Sequence, residues 1–300
     1  MIAFIISIIL TVLTTVVAEP SLVIASSSLS MLSPTVSCFI VCSESIGILF
    51  SSGLLGLMVS MVSSILQLSP YYTISILFLL SVVLSIFFVY AESKEKTEEA
   101  SEIATIIITL IVVGVMLTNS EIAFEAFYQI MKDLTLVTFD EAVIYFAISS
   151  LLVIISMLIR DHIVSIIFDK EYVSVMSSMT FLRIAVAVFI SVFGTSLTSY
   201  YLGLFTSQSL LVLPTLLAVR GLRRDLVDVV DITYIASMIS LIIGIEISSF
   251  YNVPISGAAI IFLVLTIVLL DVGNSIGKYL YSLKGRPIER SNINSRENRK

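Results

Sequence analysis

The feature that most constrains this chain is how far it runs without a charge. No Asp, Glu, Lys or Arg occurs from Pro70 to Tyr90, nor from Ala142 to Ile159. About 20 mostly apolar residues are enough to cross the ~30 Å hydrocarbon core of a bilayer as a helix. Such stretches recur at 72–91, 103–118, 142–159, 181–203, 205–219, 228–249 and 254–274. Residues 2–68 hold two or three more, with boundaries blurred by Glu19-Pro20, Pro34 and the serines Ser26, Ser27, Ser28 and Ser30. The expected architecture is all-α and polytopic, with about nine transmembrane helices. Nine would place the N-terminus outside and ten inside. Hydrophobic residues make up 58% of the 300 residues and charged ones 13%, against roughly 45–50% and about 25% in soluble domains. That excludes a soluble enzyme, a nucleic-acid binder and a disordered chain. The first apolar stretch has no basic residue before it, which predicts a first span rather than a cleaved leader.

Charge placement sets the expected orientation, because Lys and Arg concentrate on the cytoplasmic side. Fifteen of the 16 cations fall into four clusters. These are Lys94 and Lys96; Arg160, Lys170 and Arg183; Arg220, Arg223 and Arg224; and the seven from Lys278 to Lys300. Two spans separate each cluster from the next, so all four can face the cytoplasm. The remaining cation, Lys132, lies in segment 119–141 with Glu121, Glu125, Asp133, Asp140 and Glu141. That segment lands outside and reads as a solvated acidic loop. Residues 1–283 read as one membrane domain, and 284–300 as a polar, basic cytoplasmic tail.

Four local patterns are more specific. Phe168, Asp169, Lys170 and Glu171 open a short polar segment between two spans. Leu211, Pro214, Ala218 and Arg220 end an apolar run. Tyr251, Pro254, Ser256 and Gly257 form a corner before the last span. Glu98, Glu99, Glu102 and Ala104 open the span that follows Lys96. Taken in chain order, at this spacing and each on its own side of the membrane, they resemble the permease subunits of the ATP-driven zinc, manganese and iron importers. Lys170 stands where that family has proline, and Thr215 and Leu216 where it has two alanines.

The resemblance implies a type II ABC-importer-like permease. Its expected partners are a separate ABC ATPase, an extracytoplasmic metal-binding receptor, a second copy of itself and the lipid bilayer. It implies that Phe168, Asp169, Glu171 and Tyr172 belong to the segment that docks on the ATPase. The chain has no Gly-x-x-x-x-Gly-Lys-Ser/Thr run, so it carries no P-loop of its own. No cofactor and no catalytic residue is expected.

The family's metal pair is an Asp and a His four residues apart. This chain lacks that pair, and its one histidine is His162, beside Arg160 at a span end. The stretch that lines up with it carries Cys38 and Cys42. Residues four apart share a helix face, so both sulfurs could reach one ion. Thiolates suit Zn(II) or Cu(I) better than Mg(II) or Mn(II). Two cysteines four apart are also what ordinary apolar packing produces. Glu44 and Glu246 fall inside predicted spans, where a carboxylate is a functional candidate by default. Glu44 is about 160° around a helix from Cys42, whereas Ser45 shares its side. Two rival readings stay open. One is a same-architecture importer of siderophore, haem or cobalamin. The other is a secondary carrier in which Glu44 and Glu246 relay protons or sodium.

Overall fold

A computed structural model describes residues 19–43, 47–94, 96–118, 120–168, 179–212 and 226–284. These residues are helical almost throughout, which is what hydrocarbon demands of backbone N–H and C=O groups. The long helices are α1 (Pro20–Ser43), α2 (Gly47–Ile65), α3 (Pro70–Glu92) and α4 (Thr97–Thr118). A shorter helix, α5 (Ser120–Met131), and a 3-10 turn (Leu134–Leu136) lead to α6 (Phe139–Phe168). Then come α7 (Met179–Leu202), one turn α8 (Leu204–Ser207) and a π turn (Gln208–Val212). The last two helices are α9 (Leu226–Tyr251) and α10 (Ile255–Lys284).

Local chemistry sets the ends. Pro70 occupies the start of α3 behind an extended Ser69, where its missing N–H costs nothing. Glu98 and Glu99 lie in the first turn of α4, favourable to the helix dipole. Thr138 and Glu141 form a reciprocal capping box at the start of α6. The Glu141 carboxylate accepts from the Thr138 N–H at 3.0 Å, and the Glu141 N–H donates to the Thr138 hydroxyl at 3.4 Å. Asn252, at φ 54°, closes α9 in the left-handed conformation.

The serines and Pro34 that blur residues 20–43 in the sequence lie inside one continuous helix. The buried hydroxyls of Ser27 and Ser30 donate to the carbonyls of Val23 and Ser26, so they need no other partner. The span expected at 205–219 opens differently. Gly203 adopts φ +89° and ends α7. The chain then folds back beside α2, where Gln208 Nε2 donates to the Leu49 carbonyl at 2.9 Å.

The core forms around α7, which packs against α1, α2, α3 and α6. Helices α2 and α7, and α1 over its described residues, are mostly buried, whereas α3, α4 and α6 expose most of their length. What they expose is apolar: Leu79 and Val83, Ile106 and Leu110, Leu151 and Leu158. What the bundle hides includes many hydroxyls, among them Ser33, Ser52, Thr195 and Ser196. This inversion of the soluble pattern is what a lipid solvent selects. Among the described residues, five helices are long and apolar enough to cross a membrane. Apolar stretches of α1, α9 and α10, Pro20–Ser33, Ser237–Tyr251 and Ile255–Thr266, accompany them.

The acidic segment exposes Glu121, Glu125 and Asp140, as its charges suggest, but over residues 120–141 it is not a simple solvated loop. It holds α5 and the 3-10 turn, and Gln129, Lys132 and Asp133 are buried. Burial of these three side chains is possible because each has a partner within the fold.

Candidate functional site

Helix α1 carries both Cys38 and Cys42, one helical turn apart; their side chains lie outside the described residues. So do Glu44, Ser45, Asp169, Glu171 and Tyr172. Phe168 is the last residue of α6, and its side chain is also outside the described set. Glu246 sits on α9, exposed, little more than one turn before Tyr251 at the helix end. Among the described residues, no group of three or more His, Cys, Asp or Glu side chains stands close enough to hold a metal.

Around α1 the structure brings together a polar junction that the sequence did not single out. The Ser33 hydroxyl donates to the Leu210 carbonyl at 3.3 Å and meets the Ser237 hydroxyl at 3.2 Å. One side chain thus joins α1, the π turn and α9, little more than one turn from Cys38. A π turn shifts the backbone hydrogen-bond register. Non-helical backbone at membrane depth is tolerated where protein buries it or where it lines a polar path. On α7, Ser191, Thr195 and Ser199 follow one another four residues apart, all buried, and their hydroxyls have no hydrogen-bond partner among the described residues. Hydroxyls and carbonyls are neutral oxygen ligands that can replace part of a cation's hydration shell.

A second junction lies at the end of the bundle that charge placement puts outside. The Asp133 carboxylate accepts from the backbone N–H groups of Ile255 and Ser256, each at 2.9 Å. It thereby caps the first turn of α10 from a position 122 residues away in sequence. Two bonds from free N–H groups and a favourable helix dipole act on one carboxylate. Beside it, Gln129 Nε2 donates to the carbonyls of Ser199 and Tyr200 at the end of α7. The Thr206 hydroxyl donates to the Lys132 carbonyl at 3.1 Å. A side chain at Gly203 would press on the Gln129 and Lys132 carbonyls, so glycine there serves both its positive φ and this contact. The Lys132 ammonium lies 3.9 Å from the Glu141 carboxylate. Burial pulls its pKa below the ordinary lysine value, and the Glu141 charge partly restores it. Residues 129–133 thus staple α7, α8 and α10 together. Ser256, one of the corner residues read from the sequence, is where the staple lands.

No curated protein matches the chain. A solved structure of PsaBC from Streptococcus pneumoniae in complex with Fab is similar in fold. The TM-score is 0.64 at 14% sequence identity, over 83% of this chain and 89% of that one. The family model of the ABC 3 transport family matches residues 3–273. That match takes in nearly every described helix, and it upholds the family to which the four local patterns pointed. With an all-helical fold of lipid-facing apolar surfaces, this chain is a multi-pass integral protein of the cell membrane and belongs to the ABC 3 transport family.

Proposed function

We propose that the chain is the membrane-spanning subunit of an ATP-driven importer of a transition-metal ion. The observation that carries this reading is the family match from residue 3 to 273, joined to the resemblance to metal-importer permeases. Energy comes from a separate ATPase, since this chain has no P-loop run. Residues 1–283 act as one permease domain and 284–300 as its cytoplasmic tail. Two copies enclose the pathway, and a metal-binding receptor docks on the extracytoplasmic side. Phe168, Asp169, Glu171 and Tyr172 meet the ATPase. Cys38 and Cys42 contact the ion in passing, and Glu44, Ser45 and Glu246 lie along its route. The continuous helix from Pro20 to Ser43 supports the cysteine pair, because it keeps the two positions one turn apart. Two thiolates leave room for water or for oxygen ligands, as a site that must release its ion requires.

The test is to purify the tagged chain in mild detergent, identify what accompanies it, and assay uptake by the reconstituted assembly. A P-loop ATPase in stoichiometric amount and ATP-dependent Zn(II) uptake are expected. Cys38→Ser with Cys42→Ser lowers that uptake on the order of tenfold or more. Unchanged uptake over a full concentration range dismisses the cysteines. A gradient-driven flux from the chain alone replaces the ATP-driven reading with a secondary carrier.

A further inference from the structure

Helix α5 carries three different faces. Ile122, Ala126, Gln129 and Ile130 turn inward and are buried or partly buried against α2 and α4. Phe124, Phe127, Tyr128 and Met131 form a second stripe and are exposed, Phe124 at 74%. Glu121 and Glu125 stand exposed along one flank of that stripe. A helix surrounded by water has no reason to present four large apolar side chains in register. A membrane–water boundary is where protein, lipid and water all meet along one line, and it accounts for all three faces.

The position of α5 agrees. It starts two residues after the end of α4. At its other end Gln129 bonds to the last turn of α7, and Asp133 just beyond bonds to the first turn of α10. Both ends therefore sit at the same side of the bundle, so α5 runs along that side rather than across. The Lys and Arg clusters mark the opposite side as cytoplasmic. Exposed aromatic residues ring the same outer level: Tyr71 and Tyr72 where α3 begins, Phe139 where α6 begins, and Phe250 and Tyr251 where α9 ends. Such a ring is the usual signature of the headgroup region. The end of α4 that leads into α5 is apolar and exposed as well, at Leu110, Val113 and Leu117.

We infer that α5 lies in the plane of the outer leaflet, with Phe124, Phe127, Tyr128 and Met131 among the lipids at the headgroup–acyl boundary. The occupant of this surface is lipid, and neither a receptor nor a second copy of the chain covers it. Because Gln129 lies on α5 and Asp133 two residues beyond its end, the leaflet supports the staple that fixes α7 to α10.

The chain contains no tryptophan, so one introduced indole reports alone. Phe124→Trp is prepared in the full chain and placed in lipid nanodiscs, with lipids brominated near the head of the acyl chain in one preparation. Most of the fluorescence is expected to be lost to bromine, with little lost to aqueous acrylamide. Loss to acrylamide and none to bromine puts the stripe in water or at a receptor surface and overturns the inference. Protection from both quenchers means that protein covers it, as between two copies, and overturns it equally. Phe127→Trp repeats the measurement should the first variant fold poorly. Leu110→Trp, on the exposed face of α4, shows that bromine reaches a lipid-facing indole.

Discussion

At the residue scale, Asp133 shows how little of a site need be legible locally. In the sequence it is one of five carboxylates in an acidic stretch. In the fold it holds the two buried N–H groups that open α10. Nothing near Asp133 announces that role, since its partners lie 122 and 123 residues away. Asp133→Ala leaves both donors without an acceptor and should cost about 2 kcal/mol, read as a lower Tm in detergent. Asp133→Asn, which keeps an acceptor but not the charge, should fall between. Lys132 carries a pH signature. Its folded pKa is lowered from 10.5 because burial disfavours the ammonium. The folded protein therefore binds this proton less tightly than the unfolded chain does. The resulting cost is present at neutral pH and is relieved as pH rises from the lowered value towards 10.5. Stability should rise across that window in the native protein, and Lys132→Met should remove the rise. Thermal unfolding against pH measures both.

At the element scale, the apolar runs place the long helices well. The stretches 72–91, 142–159, 181–203 and 228–249 each fall within or nearly within one helix, because in hydrocarbon a backbone has one local way to satisfy itself. Two elements escaped for different reasons. Helix α5 was masked by its charge, although Ile122, Ala126, Gln129 and Ile130 repeat at helical spacing. The break at Gly203 needs a positive φ and a close approach to two carbonyls from another segment, and a glycine letter alone states neither. Helix contact supplies a clean comparison. A methyl at Gly56 would collide with the Ser196 carbonyl of α7 and crowd Ser199, whereas one at Gly114 would meet nothing. Gly56→Ala should destabilise by about 1–3 kcal/mol by forcing α2 from α7. Gly114→Ala, on the open face of α4, should be neutral or stabilise by up to about 1 kcal/mol. Paired melting curves decide it.

At the scale of the whole molecule, the sequence by itself determined the solvent, the secondary structure and the family. Composition demanded lipid, lipid demanded helices, and ordered motifs from Glu98 to Gly257 pointed to the family that the match over 3–273 upholds. These properties are local or additive, so a linear reading recovers them. The sequence also placed Cys38 and Cys42 one turn apart, since helical spacing depends on nothing beyond the helix. The tertiary structure alone decided which helices sit inside. α1, α2 and α7 are as helical as α3 and α4, but they are the ones mostly enclosed over their described residues. It alone brought Ser33 to Leu210 and Ser237, and Asp133 to Ile255 and Ser256. In lipid the hydrophobic difference between a buried and an exposed leucine nearly vanishes. The apolar pattern that tells inside from outside in a soluble protein is therefore faint here. Close packing of small residues and pairing of polar groups between distant helices choose the arrangement instead, and neither is written in any one stretch of the chain.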